Sequence, residues 1–377
     1  MTIAIREISG MLDQTYNAPD ERQLLSRFWQ SASGFWRGRS AWRGWLLLVL
    51  LIATVLLQLW TQYGLNFWNR DFFNAVGRKD AADLWTQALR FVPLAAASIF
   101  LAILSVWGRM TMQRTWREWL SNHLYDYWLE NDHYMRLRFM PGDHQSPEFR
   151  IAEDARIATD LPIDLMIGLF SSFLTAITFI GVLWSVGDGL VVSFSGLMVS
   201  IPGYLVISVV LYSILLSGAT LLIARHLTHV LEENKRSEAE LRSIGTHPRE
   251  SGEGTALADG RKDERRAVGA ALRTVIGIWR IYCWQLMRLT VITYTSVLIT
   301  PVVGLLLCTP KYLEGAMTLG EVVQAAAAFV MVQGAFNWFT DNYARLAEWA
   351  SSANRVASLL LALDRVDRTG DLSGSGQ

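Results

Sequence analysis

Six runs of apolar residues punctuate this chain of 377 residues. Each approaches the roughly 20 residues that a helix needs to cross a hydrocarbon layer. They cover residues 44–63 ("GWLLLVLLIATVLLQLW" and its flank), 91–107, 165–186, 190–216, 289–308 and 320–339, the fifth being weaker and rich in Thr. Charge almost never interrupts them, and Trp and Arg stand at their ends, where lipid meets water. The pattern predicts six spanning helices and an all-α integral membrane architecture. Between the runs the period becomes that of a half-covered helix. "MTMQRTWREWLSNHLYDYWLEND" repeats Trp116, Trp119, Leu120, Leu124, Tyr127 and Trp128 at three and four residues, and Leu227, Val230, Leu231 and Leu241 form a similar stripe among charges. Both stretches read as continuations of spans two to five that project well beyond the bilayer. Residues 26–42, "SRFWQSASGFWRGRSAW", read equally as an interfacial helix on the inner leaflet or as the cationic flank of span one.

Charge placement orients these spans. All but five of the 34 Lys and Arg fall before span one, between spans two and three, between spans four and five, or after span six. The five on the other side are Arg70, Arg78, Lys79, Arg90 and Lys311. Basic residues mark the cytoplasmic face, so both termini are expected there. Acidic and basic residues balance at 34 each, which leaves no global field directed at nucleic acid. Residues 1–23 are polar and contain no apolar core of a secretory signal. The organisation expected is a cytoplasmic N-terminal segment with an interfacial helix (1–43), a six-helix membrane domain (44–340), a cytoplasmic helix (341–365) and a flexible truncated linker (366–377).

Three stretches carry candidate chemistry. "YGLNFWNRDFFNAVGRKD", outside span one, mixes aromatics with Asn66, Asn69, Arg70, Asp71 and Asn74. It reads either as an aromatic belt with a polar cap or as one wall of a cavity for extended, chemically mixed ligands. The cavity candidates are Asn66, Trp68, Asn69, Arg70, Asp71 and Phe72. Arg70 and Asp71 are neighbours on a helix and point apart, so no pairing is assumed. In the first inner connection Pro147 opens a short helix with Glu148 in its first turn, followed by Arg150, Glu153, Asp154 and Arg156. In the second, a dense charged run covers residues 261–266. Each could be a solvated face; together they occupy the tips of both projecting hairpins.

Other chemistries find little support. No Lys follows a Gly, so the phosphate-binding pattern GxxxxGK[ST] does not occur in these residues. No catalytic constellation is visible. His226 and His229 share a helix face but lack a third ligand, so no metal site is expected.

"LNFWNRDFFNAV", "WREWLSNHLYDYWLENDHYMRL", "SPEFRIAEDARIATDLP" and "MTLGEVVQAAAAFVMVQGAFNWFTDNYARLAEWASSANRVASLL" follow one another in an order and spacing that resemble a known family. Over residues 30–365 the chain resembles the transmembrane half of ABC transporters with the exporter-type six-helix fold. The branch indicated is that of YddA-like and BacA-related permeases, relatives of the peroxisomal fatty-acyl transporters. "RIAED", residues 150–154, looks like the RI-x-ED signature of that family. "LADGRKDE" stands where the family reads closer to Phe-Tyr-x-Gly-Glu, and lacks the aromatic pair and the first Glu.

The resemblance implies a homodimer of twelve spans around one cavity. It implies that Glu148, Arg150, Glu153 and Asp154, with Asp259, Gly260, Asp263 and Glu264, couple to ATPase domains. ATP and Mg belong on such a domain, and this chain binds no cofactor. The C-terminal "RTGDLSGSGQ" then reads as a linker cut short, through a truncated reading frame or a split transporter. The function expected is a permease that moves peptides or other bulky amphiphilic solutes across a bacterial inner membrane. Two alternatives stay open. One is a stand-alone proton-driven peptide importer of the SbmA/BacA type, with Asp164, Asp188, Glu314 and Glu321 as carrier candidates. The other is a non-transporting membrane scaffold.

Overall fold

The computed structural model describes residues 21–38, 41–137, 146–187, 190–194, 197–250 and 258–374. Helix α1 covers Glu21–Arg37, α2 Ala41–Arg78, α3 Ala81–Leu129 and the short α4 His133–Arg136. A single turn, α5 (Pro147–Phe149), leads through a π-helical turn at Arg150–Asp154 into α6, Ala155–Gly187. Strands β1 (Leu190–Phe194) and β2 (Leu197–Ile201) follow, then α7 (Tyr204–Glu250), α8 (Ala258–Leu313) and α9 (Leu319–Gly374). Six of these helical stretches are long and apolar enough to cross a membrane. The all-α class therefore holds, and the helices of spans two to five run far past their apolar windows as the stripes predicted. At 1.5 Å rise per residue, the 49 residues of α3 far exceed a bilayer's thickness. The final helix passes through residue 341 without a break and continues to Gly374.

Span four departs from the predicted pattern. Span four was placed from residue 190, but residues 190–201 form an antiparallel hairpin with Leu190 opposite Ile201 and Phe194 opposite Leu197. Helix α7 starts only at Tyr204. The cause is local. Val191, Val192, Val199 and Ile201 are β-branched, and Pro202 and Gly203 stop the run. Gly203 adopts φ +64°, a conformation that costs glycine little.

The chain divides into two compact units. The first contains Met1–Thr61, Ala96–Ser171 and Asn342–Gln377; the second contains Gln62–Ala95 and Ser172–Asp341. In the first unit, Phe28, Ala32 and Phe35 of α1 fall at helical spacing and are buried with Leu51, Trp116, Leu120 and Leu124. Val356, Leu359, Leu360 and Leu363 of α9 complete that core. The innermost stripe of α1 thus packs on the chain's own helices, while Trp29 stays exposed.

The second unit uses small residues and buried polar groups, as helices packed in lipid do. A side chain at Gly304 would crowd Ala326 and Phe329, so α8 and α9 approach closely there. Asn66 Nδ2 donates to the Gln324 carbonyl at 3.1 Å, linking α2 to α9. Lys311 is buried and donates to the Gly187 carbonyl at 2.8 Å. A cation there complements the partial negative charge at the end of α6.

Candidate functional site

The site with the most constrained geometry lies in the first unit, where the "RIAED" turn meets α9. The π-helical turn adds a residue and rotates its side chains relative to α6, a device found often at functional positions. Arg150, Ile151 and Asp154 are thereby buried. Arg150 Nη1 donates to Ser358 Oγ at 2.7 Å. Asp154 accepts from Arg355 Nε at 2.9 Å and from its Nη2 at 2.6 Å. Arg355 is held in turn by Ser351 Oγ at 2.6 Å and Ser352 Oγ at 2.9 Å. Charge-assisted, forked bonds of this kind fix orientation as well as adding energy.

The coupling candidates of the first connection consequently split into two sets. Arg150 and Asp154 face inward and lock this turn to α9. Glu148 is exposed and Glu153 half-exposed. The Arg156 guanidinium beside Glu153 holds its carboxyl below the usual range. Phe149, absent from the candidates chosen by sequence, is 59% exposed between them. An aromatic left in water at the tip of a charged turn is the signal that could have selected it. The partners Arg355, Ser351, Ser352 and Ser358 were also not selected, because nothing local in α9 marks them.

A second polar cluster in the same unit ties α9 to α1 and α3. Arg27 donates to both carboxylate oxygens of Asp364, at 2.7 and 2.8 Å. Tyr127 Oη lies 2.8 Å from Asp364 and 2.9 Å from Asp367. Burial, reinforced by these two acceptors, pushes the Tyr127 phenol well above its ordinary value. The buried His133 ring contacts the Tyr127 carbonyl through Nδ1 at 2.8 Å and Asp367 through Nε2 at 2.6 Å. A third cluster gathers on Asp164, which accepts from Arg345 at 2.8 Å, Gln113 at 3.0 Å and Arg109 at 3.4 Å.

In the second unit, Asp259, Gly260 and Asp263 belong to the first turns of α8, and their side chains lie outside the described residues. Glu264 is half-buried. The outer aromatic stretch is the end of α2. Trp68 Nε1 donates to the Gln87 carbonyl at 2.8 Å, and the Trp68 ring packs on Phe72 and Phe91, with centroids 5.2 and 4.7 Å away. Arg70 and Asp71 do pair, at 2.9 Å, and the Arg70 guanidinium lies 4.7 Å from the Phe67 ring centroid. The flexible Arg70 side chain folds back on its neighbour, so adjacency on a helix did not prevent the contact. Asn66 is buried, whereas Asn69, Arg70, Asp71 and Phe72 are half-buried.

Comparison with known proteins agrees with this architecture. Residues 36–313 match the family described as ABC transporter transmembrane region 2. The inner membrane ABC transporter ATP-binding protein YddA of Escherichia coli (strain K12) is 27% identical over 352 residues, covering 89% of this chain and 60% of that protein. An uncharacterized ABC transporter ATP-binding protein of Synechocystis is 25% identical over 86% of this chain and 47% of its own length. The chloroplastic ABC transporter D family member 2 of Arabidopsis thaliana is 22% identical over 94% of this chain and 49% of its own. The chain thus spans about half to three-fifths of the length of these relatives.

Proposed function

We propose, from the premise that this chain belongs to the family of ABC transporter transmembrane regions, that it is a permease driven by a nucleotide-binding domain outside residues 1–377. ATP and Mg would bind on that domain. Two copies would enclose the passage, with both termini on the cytoplasmic side of a bacterial inner membrane. The observation that carries this reading is the split of the "RIAED" turn. Arg150 and Asp154 fasten it to α9, so a force applied to the exposed Glu148, Phe149 and Glu153 would move two long helices together. The charge asymmetry of the connections supports the orientation. The Asn- and aromatic-rich end of α2 favours a solute with apolar and polar parts, such as a peptide.

The proton-driven alternative needs a carboxylate free to exchange protons. Asp164 is engaged by two guanidinium groups, and Glu321 accepts from the Thr318 N–H at 2.8 Å. Asp188 lies outside the described residues, and Glu314 follows the last residue of α8, Leu313, in an exposed turn and so is not within a span. ATP-driven coupling is therefore the better-supported reading.

Its test is reconstitution of the full chain in vesicles, with and without a nucleotide-binding domain supplied in trans. The expected result is ATP-dependent solute uptake or extrusion only when the domain is present. Transport driven by a proton gradient in its absence would overturn the proposal.

A further inference from the structure

The first unit contains a cavity of about 460 Å3 with a wholly apolar wall. This volume lies within the range of roughly 300–1,000 Å3 typical of small-ligand sites. Trp29 and Trp36 of α1, Trp45 of α2, Trp116 of α3 and Ile167 and Phe170 of α6 line it. Four indoles around one cavity form an unusual wall. They are braced by ring contacts: Trp36 meets Trp45 with centroids 5.2 Å apart and Trp116 at 6.4 Å. Trp45 Nε1 also reaches the Trp36 carbonyl at 3.4 Å, which holds the α1 end against the α2 start.

Two features identify the occupant. The first is depth. Leu48, Leu51 and Ile52 line the cavity from the opening turns of the apolar run 44–63, and Ile167 and Phe170 do so from the opening of 165–186. The cavity therefore sits where the membrane's hydrocarbon begins, at the end of both runs that carries the basic connections. The second is charge. Arg37 directly follows Trp36, and Arg43 stands two residues ahead of Trp45; both are exposed. No Asp or Glu occurs anywhere between Gln23 and Arg70. Arg27 is already committed to Asp364, and the Arg43 guanidinium lies 5.5 Å from the Trp42 ring centroid, so Arg37 and Arg43 are the exposed cations that flank Trp36 and Trp45 in sequence.

We infer that this cavity holds one acyl chain of an anionic membrane phospholipid, whose headgroup is bound by Arg37 and Arg43. The tryptophans suit such a boundary, with their apolar ring bodies toward the chain and the exposed Trp29 and Trp45 at its edge. The inference rests on the six-span architecture and is independent of how transport is powered.

The test is native mass spectrometry of the full chain released from bilayers containing equal phosphatidylglycerol and phosphatidylcholine. The wild-type chain should retain one phosphatidylglycerol after bulk lipid is stripped. Leu48→Phe and Ile167→Phe, which narrow the cavity in two separate walls, should each lower that retention at least about tenfold, the effect of displacing two or more methylenes from an apolar site. The R37Q/R43Q pair should lose the preference for phosphatidylglycerol yet still retain a lipid. Circular dichroism and gel filtration establish that each variant folds. The inference is overturned if the wild type retains no lipid, if folded variants with a narrowed cavity retain as much as it does, or if phosphatidylcholine is held equally well. It is equally overturned if Met166→Cys cross-links two copies efficiently without lipid, since a second chain would then cover the mouth.

Discussion

The carboxylate of Asp154, 1% exposed, rests on the guanidinium of Arg355, which is 44% exposed and lies 201 residues later in the chain. One partner is wholly desolvated while the other keeps part of its water. Removing the wetter partner is therefore the more damaging change, because it leaves a buried charge alone. Arg355→Ala should destabilise the chain by about 2–3 kcal/mol, at the lower edge of the range for broken buried pairs because Arg355 is partly solvated. Asp154→Asn should cost less. The double variant should be less unstable than the two single losses added together. Thermal unfolding in detergent measures all three; additive losses would mean that the pair does not act as a unit.

The exposed half of the same turn should behave in the opposite way. Phe149 and Glu148 are exposed, so Phe149→Ala and Glu148→Lys should shift stability by no more than about 0.5 kcal/mol. If the turn receives force from an ATPase domain, both changes should still reduce ATP-driven transport severalfold. Paired measurements of melting temperature and transport separate the two effects. A variant that transports normally would remove Phe149 from the coupling surface.

Tyr127 gives a dependence on pH with a definite sign. It lies about 20 residues, or 30 Å of helix, past the apolar run 91–107, outside the membrane-spanning stretch. Burial and its bonds to Asp364 and Asp367 raise the phenol's pKa in the folded chain. The folded state then keeps a proton that the unfolded state releases above about pH 10, so this contribution is complete below pH 10 and is lost as pH rises further. Tyr127→Phe should cost about 1–2 kcal/mol at pH 8, through the lost hydrogen bonds. It should also flatten the decline in stability between pH 9 and pH 11. Thermal melts of both proteins across that range provide the check; identical slopes would contradict the assignment.

The spans were readable from sequence because lipid forces the issue. A crossing segment must hydrogen-bond its own backbone and cover itself with apolar side chains, and both demands are written locally. The projecting helices were readable for a similar reason, since Trp116, Leu120 and Leu124 recur at helical spacing and do enter the core. The β1–β2 hairpin was not recognised because strands and helices share the same apolar composition over a short run. The cues were present in Ser195–Gly196 between two β-rich stretches and Pro202–Gly203 after them. The site was only half legible. "RIAED" stood out as a pattern, but its inward and outward faces depend on a π-helical turn and on serines and an arginine in α9. Those partners are distant in sequence and carry no local mark. Trp68 is a related case: its indole donates to Gln87, a bond that no spacing rule anticipates.

The last prediction concerns the start of α9, in the second unit. Gly320 lies against α2 so closely that a Cβ would collide with the Arg70 carbonyl oxygen and come within 2.6 Å of Asn74 Oδ1. The same Asn74 oxygen accepts the Gly320 N–H at 2.9 Å, satisfying one of the free donors of the first helical turn. A methyl group at this position meets backbone, which cannot rotate aside as a side chain could. Gly320→Ala should therefore cost at least about 1–3 kcal/mol, the usual penalty for overpacking. Asn74→Ala keeps the close approach and loses only the cap, so it should cost about 1 kcal/mol. This ordering separates crowding from hydrogen bonding, and melting temperatures of the two variants decide it. If Gly320→Ala proved as stable as the wild type, α9 could not lie against α2 at this distance.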